Sequence, residues 1–409
     1  MYVRRSAAVL AAAVVIGSAS PAVAADSSPS ASPSPSRAYP AELYGGTDPT
    51  YDGVWRQSLV LLAQDTVGVR PAKGAVDWLL GQQCASGAFA PYRADAGEDC
   101  DAKTPVDTNS TAAAVQALAA LGGHDAATGK AVSWLKSVQN KDGGWGYAAG
   151  GASDTNSTSV VIGALAAVGE KPASVVKDGQ SPYGALDGLA LPCKGDGAGA
   201  FAFQPDKKGT LVANADATAA GVLGALGKGL VVRPGTAASD ASCADGGDRT
   251  PRQTAANGAA YLTRALAKDG YLKSALPGAE DQPDYGNTAD AVVALAARSG
   301  ADAARKPLRW LEQNSAKWAE QSGPAAYAQL IFAAHATGTD PRDFGGANLV
   351  EQLNATGPAP QKAAAEQEEK GKKDDGDNPF GAWWYIGVFL VVGIGIGFLL
   401  SGRNKGGRQ

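Results

Sequence analysis

Acidic and amide side chains recur at equivalent positions of this chain, and their types suit either proton transfer or the binding of a polar ligand. The stretch DTNST occurs at 107–111 and again at 154–158, and similar starts follow Asn214 and Asp284. A pair of carboxylates can act as an acid and a base. Asp and Asn also cap helices by accepting a hydrogen bond from a backbone N–H. Capping is a sufficient explanation for any one of these residues taken by itself. Their grouping in space therefore decides between the two roles.

Six Ala-rich segments carry apolar residues at helical spacing, and most of them open on one of these polar starts. Because they are apolar almost all round, we expect them to be buried helices. They begin at Tyr51, Asn109, Asn156, Asn214, Gly286 and Pro324. Between them lie segments with an aromatic residue, a Leu and then charge, a pattern that predicts amphipathic outer helices. These begin at Ala72, Gly129, Tyr183, Asn257, Arg305 and Pro341.

The alternation of these two kinds of helix predicts an all-α fold, an α6/α6 toroid in which outer helices cover an inner ring. An open solenoid is the alternative that the same repeats allow. In a toroid all inner helices begin at one end, so their caps and the loop aromatics gather on one rim around a concave mouth. The predicted ligand-binding residues are Asp107, Asn109, Trp145, Tyr147, Asp154, Asn156, Phe203, Asn214, Tyr271, Asp284, Tyr285 and Asn287.

The stretch WLKSVQNKDGGWGY, residues 134–147, resembles the QW motif of terpenoid cyclases and protein prenyltransferase β-subunits. A second copy, WLLGQQCASGAFA at 78–90, has Phe89 where the first has Trp145. The resemblance covers residues 54–353 and implies the toroid fold. Physically, the glycines permit a tight turn after the outer helix, the aromatic residue packs over that turn, and the Gln side chain bonds the freed backbone groups.

The chemistry of these families depends on motifs that this sequence lacks. It has neither the DxDD acid of squalene-type cyclases nor the DxC of the prenyltransferase zinc site, and His124 and His335 are its only histidines. We therefore expect no catalytic residue, no metal and no cofactor. Two alternatives stay open: an enzyme that uses rim carboxylates, such as Asp107 with Asp154, on a glycan or a terpenoid or other lipid, and a protein-interaction scaffold.

The Asp-x-x-x-Thr-Ala starts at 107–112 and 284–289 are similar to those of the cobalamin carriers intrinsic factor and transcobalamin. Those carriers are toroids that bind without catalysis, so the resemblances together imply a corrinoid-like or isoprenoid-like ligand. The carriers also have a small β domain, whereas here a polar tether follows Leu353. A corrinoid would therefore need a second face from another chain, such as a membrane transporter.

Sequence patterns at both ends of the chain predict a location at the cell membrane. Arg4 and Arg5, an apolar stretch and the small residues up to Ala24 form a secretory signal. An uncharged stretch that begins at Ala382 and precedes basic residues predicts one membrane span with the large domain outside. The predicted segments are a signal peptide (1–25), a Ser/Pro-rich arm (26–43), the toroid (44–353), a charged linker (354–381), a transmembrane helix (382–400) and a cytoplasmic tail (401–409).

Four cysteines in an extracellular domain favour two disulfides, and four cysteines allow three pairings. We favour Cys84–Cys100 and Cys193–Cys243 because each pair brackets one irregular loop. The formal net charge is −4 and no basic run lies outside the tail, so nucleic acid is not an expected partner. The expected partners are the plasma membrane, through the single span, a small-molecule or lipid ligand, and a membrane transporter.

Overall fold

A closed ring of six helices forms the unit that begins at Pro40. The computed structural model describes residues 39–237, 242–245, 249–275 and 278–362. Each ring helix contacts the next and the last contacts the first, so the chain forms an α-helical toroid and not an open solenoid. The ring helices are α1 (Gly53–Thr66), α3 (Thr108–Leu121), α5 (Thr155–Ala167), α7 (Ala215–Ala225), α9 (Tyr285–Ser299) and α12 (Pro324–Thr337).

A second set of helices packs on the outside of this ring. Each outer helix except α11 contacts the ring helix that precedes it in the chain, and α4, α6, α8, α10 and α11 contact the next one. The outer helices are α2 (Lys73–Gly81), α4 (Asp125–Ser137), α6 (Pro182–Gly188), α8 (Pro251–Leu266), α10 (Arg305–Asn314), α11 (Ala316–Ser322) and α13 (Leu349–Asn354). All twelve predicted segments therefore contain a helix, although the one that begins at Pro341 is helical only from Leu349, and α11 is an addition that the repeats did not predict.

Helix composition explains which set lies inside. Residues 112–118 of α3 and 157–165 of α5 are buried without a break, as expected for segments that are apolar on every side. On α10, by contrast, Leu308 and Leu311 are buried while Arg309 is exposed, which is the pattern of a helix with one covered face. The small side chains of the inner set leave room for both neighbours in the ring.

The QW-type glutamine secures the turn after the outer helix, as the sequence predicts. Gln139 Nε2 donates to the carbonyl of Gly143 at 2.8 Å, inside its own turn, and to the carbonyl of Val175 at 3.2 Å, in the next repeat. Gln83 makes the equivalent pair of bonds one repeat earlier. The motif therefore holds successive repeats together.

The Asp-x-x-x-Thr start also has a structural role. In four ring helices the threonine hydroxyl accepts a bond from a backbone N–H of the preceding turn at 2.9–3.1 Å. The same hydroxyl of Thr111 donates back to the carbonyl of Asp107, and that of Thr158 donates to the carbonyl of Trp145. The threonines are Thr111, Thr158, Thr218 and Thr288, and their donors are Phe89, Trp145, Phe201 and Leu272. The fold itself accounts for this motif without a ligand.

Two hairpins and two disulfides complete the connections. Strands β1 (Phe201–Pro205) and β2 (Leu211–Asn214) pair antiparallel before α7, and β3 (Leu272–Lys273) pairs with β4 (Pro283–Asp284) before α9. The sequence did not predict either hairpin. The disulfides join Cys84 to Cys100 and Cys193 to Cys243, which confirms the favoured pairing.

The first and last described segments meet beside the contact of α1 with α12. The Gly45 N–H donates to the carbonyl of Thr356 at 2.9 Å, and the Tyr44 hydroxyl donates to the carbonyl of Pro358 at 2.9 Å. Backbone contacts continue to Gln361, beyond the predicted domain end at residue 353. The predicted signal peptide and transmembrane helix, most of the arm and most of the linker lie outside the described residues. No helix within the described ranges has the length and apolar character to cross a bilayer.

Candidate functional site

Every ring helix lines a cavity of about 210 Å³ inside the ring and contributes a polar or aromatic side chain to it. We call one such residue from each helix the belt: Trp55, Asn109, Asn156, Asp216, Asp290 and Gln329. Apolar side chains from further along five of the ring helices line the same cavity. We call them the basin: Leu59, Val160, Leu223, Val293 and Phe332. The cavity is thus amphipathic: the belt is polar, and the basin is apolar, although Ser159 and Gln116 are further polar residues that line the cavity.

A chain segment closes the end of the ring where the helices finish. Residues 228–230 line the bottom of the cavity, and the Leu230 N–H donates to Gln116 Oε1 at 2.9 Å. Gln116 in turn donates from Nε2 to the carbonyl of Val160 at 3.1 Å. The same segment also borders a second hollow together with the last turns of α3 and α5. It therefore forms a floor, and the belt end is the way into the cavity.

Two glycines allow the floor to lie this close to the ring. A Cβ on Gly163 of α5 would lie 2.7 Å from the Cα of Gly229, and a Cβ on Gly229 would lie 2.3 Å from Gln116 Oε1. Real Cβ atoms do not approach other atoms that closely, so either side chain would displace the floor.

The belt holds two carboxylates on neighbouring helices, and an amide side chain binds each of them. Asn156 Nδ2 donates to Asp216 Oδ2 at 2.8 Å. Gln329 Nε2 lies 3.3 and 3.2 Å from the two carboxylate oxygens of Asp290. The carboxylates are therefore held toward the cavity by bonds that run between ring helices.

Burial and mutual repulsion shift the acidity of both groups. Burial, followed by the charge of Asp216, raises the pKa of Asp290 to about 7, although the bond from Gln329 lowers it and the charge of Asp284 adds to the rise. Burial likewise raises the pKa of Asp216; the bond from Asn156 opposes this, and the charges of Asp284 and Asp154 reinforce it. Near neutral pH, Asp290 is therefore close to half protonated.

Among the predicted polar site residues, Asn109 and Asn156 line the cavity, whereas the cap residues serve their helices. Each cap accepts a bond from the backbone N–H three residues on, and Asp107 and Asp154 are only 2% and 1% exposed. Asn287 bonds the cap of its own helix through Nδ2. The four caps are Asp107, Asp154, Asn214 and Asp284. The charges of Asp154 and Asp284 act on Asp216, but none of the four cap side chains lines the cavity.

The predicted aromatic site residues lie outside the cavity. Trp145 is 1% exposed and donates from Nε1 to the carbonyl of Leu135 at 2.7 Å, so it is a packing residue of its turn. Tyr147 and Phe203 are 52% and 44% exposed. Tyr271 and Tyr285 belong to a row of rings with Trp310 and Trp318, whose neighbouring centroids are 4.7, 5.0 and 5.5 Å apart. That row packs α10 and α11 against the start of α9.

The sequence analysis missed four belt residues, and three of them carry a recognisable signal. Asp216 lies two residues after its cap, which is the position of Asn109 and Asn156 in their own repeats. Asp290 is the single polar residue within 289–297, and Gln329 is the single polar residue within 328–334. A polar residue in a helix that is buried all round must face either a partner or a cavity. Trp55, the fourth, gives no such signal.

No group of three or more His, Cys, Asp or Glu side chains suited to a metal ion occurs in the described part of the chain. Two carboxylates with amide oxygens nonetheless present an array composed mainly of hydrogen-bond acceptors.

Comparison with protein-family models and with curated proteins gives no match. Solved structures of similar arrangement include ent-copalyl diphosphate synthase from Streptomyces platensis, at 16% identity and a TM-score of 0.45, covering 70% of this chain and 50% of that one. A sugar epimerase from a ruminal bacterium matches at 14% identity and a TM-score of 0.46, over 73% of this chain and 92% of that one. A protein from Actinoplanes matches at 16% identity and a TM-score of 0.32, over 69% and 100%. The description of the fold rests on the helix contacts given above.

Proposed function

We propose that this protein is a non-catalytic receptor, anchored at the outer face of the cell membrane, that binds a small amphipathic ligand inside its ring. The observation that carries the proposal is the division of one cavity into a polar belt and an apolar basin. Small-ligand sites commonly combine an apolar lining with a few convergent polar groups. The apolar end of the ligand would lie against Leu59, Val293 and Phe332, with its polar end at the belt.

The volume of the cavity narrows the choice of ligand. Sites for drug-sized molecules measure roughly 300–1,000 Å³, so a cavity of about 210 Å³ takes something smaller. A corrinoid is larger than such molecules and would have to rest on the rim, against a second chain such as a transporter. A short isoprenoid or a molecule of similar size fits the interior, and it is the version of the proposal that we favour.

The proposed location has support of two kinds. Both disulfides belong to an oxidising compartment, as expected for a secreted or surface domain. The signal-like residues 1–25 and the uncharged stretch 382–400 supply an export route and an anchor. The ring would then collect its ligand outside the membrane and deliver it to a membrane partner.

One observation favours a second candidate function, an acid–base enzyme. The carboxylate of Asp290 has a pKa of about 7 and lies near that of Asp216, inside a partly enclosed cavity. A catalytic acid or base works best when its pKa lies near the working pH. Asp290 would transfer the proton, and the negative charge of Asp216 would keep the pKa of Asp290 high. The substrate would be a small polar molecule or the end of a glycan or lipid that reaches into the cavity.

The test is ligand retention by the full chain, purified in mild detergent from its own cells and extracted for mass spectrometry. We expect one small amphipathic compound in near-stoichiometric amount. Ala220→Phe, which fills the cavity from α7, should lose it, and Ala148→Phe, at an exposed site, should keep it. An empty wild-type protein would contradict the receptor function. Conversion of the compound by the wild-type protein but not by Asp290→Asn would establish the enzyme instead.

A further inference from the structure

The belt is rich in hydrogen-bond acceptors and poor in donors. It contains the carboxylates of Asp216 and Asp290, and the basic residue among the described lining, Lys228, lies at the floor. The amide N–H groups of Asn156 and Gln329 are directed at the carboxylates, so they do not neutralise the cavity for a ligand. An uncompensated negative charge in a partly enclosed site is costly unless it takes up a proton or a cation.

Two further acceptors in the belt have no donor among the described residues. The Oδ1 atoms of Asn109 and Asn156 are both buried and make no hydrogen bond. The orientation of Asn156 is set because its Nδ2 donates to Asp216, which leaves the carbonyl oxygen free of partners. Buried polar atoms are normally bonded, so these two oxygens indicate that a donor is supplied from elsewhere.

The same level of the ring carries an aromatic side chain, Trp55 of α1. The face of an indole ring attracts cations, and the attraction strengthens where water is excluded. Beneath it the basin is hydrocarbon apart from the neighbouring hydroxyl of Ser159 and amide of Gln116, so it suits an alkyl group and gives a bare metal ion few ligands. Acceptors, an aromatic ring and an apolar floor together describe a site for a cation that bears a short apolar tail.

We propose that the ligand is a compact organic ammonium whose N–H groups donate to Asp216, Asp290 and the amide oxygens of Asn109 and Asn156, with its tail in the basin. This inference rests on the proposed receptor function and specifies the ligand class for the same cavity. A primary ammonium has three N–H donors, and four acceptors surround the place where its head group lies.

The probes are n-pentylammonium, n-pentanol, pentanoate and calcium chloride, each titrated into the full chain in detergent and followed by calorimetry and thermal shift. The ammonium should bind at least about tenfold more tightly than the alcohol, because charge-assisted hydrogen bonds are the stronger ones. Pentanoate should not bind, since the belt repels it. Calcium should give no shift that competes with the ammonium.

Two substitutions remove the charge of a belt carboxylate and keep the shape of its side chain. Asp216→Asn and Asp290→Asn should each weaken ammonium binding by about tenfold or more and leave the weak binding of pentanol unchanged. Asp125→Asn, which removes an exposed carboxylate from α4, should change neither.

Each outcome bears on one of the two proposals. Equal binding of pentanol and the ammonium, or tighter binding of calcium than of the ammonium, would overturn the ammonium assignment and leave the receptor function intact. No binding of any organic probe, together with an empty native protein, would overturn both. Loss of pentanol binding to the same extent as ammonium binding in both variants would also overturn the assignment of the ammonium head group to the two carboxylates.

Discussion

Asn156 and Asp216 lie on adjacent ring helices and are joined by a hydrogen bond of 2.8 Å from Nδ2 to Oδ2. The bond fixes the amide of Asn156 and holds a buried carboxylate at the mouth of the cavity. It also places that carboxylate where it acts electrostatically on Asp290. One contact between α5 and α7 thus influences the charge state of the whole belt.

Replacing this amide by a carboxylate should make stability depend on pH. In Asn156→Asp the new group would face Asp216 without a donor, so both carboxylates repel each other once ionised. We expect a melting temperature near that of wild type at pH 5 and clearly lower at pH 8, measured by differential scanning fluorimetry. Gln313→Glu, which adds the same charge at an exposed position of α10, should be neutral at both. An equal loss at both pH values would argue against the repulsion.

Asp290→Asn should stabilise the protein, and increasingly so as the pH rises. The pKa of Asp290 is about 7 in the folded chain, whereas an ordinary Asp carboxyl has a pKa of 3.8, so folding retains a proton that the unfolded chain releases. The contribution of Asp290 to the free energy of unfolding is therefore greatest below pH 4. It falls as the pH rises to about 7 and stays low above that pH. The charges that act on the group are those of Asp216 and Asp284.

The gain in Asp290→Asn should accordingly grow between pH 4 and pH 7 to at most about 4 kcal/mol and then level off. Urea denaturation at a series of pH values measures it. The exposed Asp125→Asn serves as the control, with a difference from wild type that does not follow this curve. A constant difference for Asp290→Asn across the range would show that its carboxyl is not buried in the way described.

Gln139→Ala should cost the fold about 2–3 kcal/mol, because two carbonyls, those of Gly143 and Val175, lose a buried donor. Gln204→Ala removes a single bond to the carbonyl of Ala152 in an exposed setting and should cost about 1 kcal/mol or less. Urea midpoints of the two variants give the comparison. Equal effects would mean that the QW-type glutamine adds nothing beyond an ordinary surface bond.

Gly163→Ala should loosen the floor of the cavity. The added methyl would lie 2.7 Å from the Cα of Gly229, so the floor segment must move, at a cost of about 1–3 kcal/mol. Gly188→Ala is the matched control: its Cβ meets nothing within 4 Å, and a helical Ala in place of Gly should stabilise by up to about 1 kcal/mol.

The same variant should change ligand exchange as well as stability. With the floor displaced, a bound ammonium gains a second exit, so we expect its dissociation rate in Gly163→Ala to rise while Gly188→Ala keeps the wild-type rate. Stopped-flow displacement measures both. An unchanged rate in a destabilised Gly163→Ala would indicate that the floor does not confine the ligand.

The helices and the disulfides were predictable because their signals are local and repeated. A segment such as 109–122 is apolar on every face, which leaves a buried helix as its simplest structure, and the pairing Cys84–Cys100 follows from one short loop. The closed ring was also predictable, because six helices that are apolar on every face are buried only when other helices surround them. The hairpin of β1 with β2 was not, because four- and five-residue strands inside a loop leave little pattern.

The site was predictable only in part, for a geometric reason. Asp, Asn and aromatic residues occur at the helix starts because they cap the helices and pack against the turns. They are therefore found on the rim whether or not a ligand binds there. Which of them faces the axis depends on helix rotation, and a shift of one residue turns a side chain by about 100°. Asn109 and Asn156 line the cavity, whereas Asp107 and Asp154, two residues earlier, accept bonds from the backbone N–H groups of Ser110 and Ser157.

The meeting of the first and last described segments at Gly45 and Thr356 has a mechanical meaning. The chain enters and leaves the closed ring at one place, the contact of α1 with α12, so the ring opens there first under load. Tension that draws these segments apart acts across that contact, while the remaining joints around the ring stay unloaded until the contact parts. A load on the domain would therefore open the toroid into a chain of intact repeats, and the cavity, which needs all six inner helices, would be the first feature to disappear.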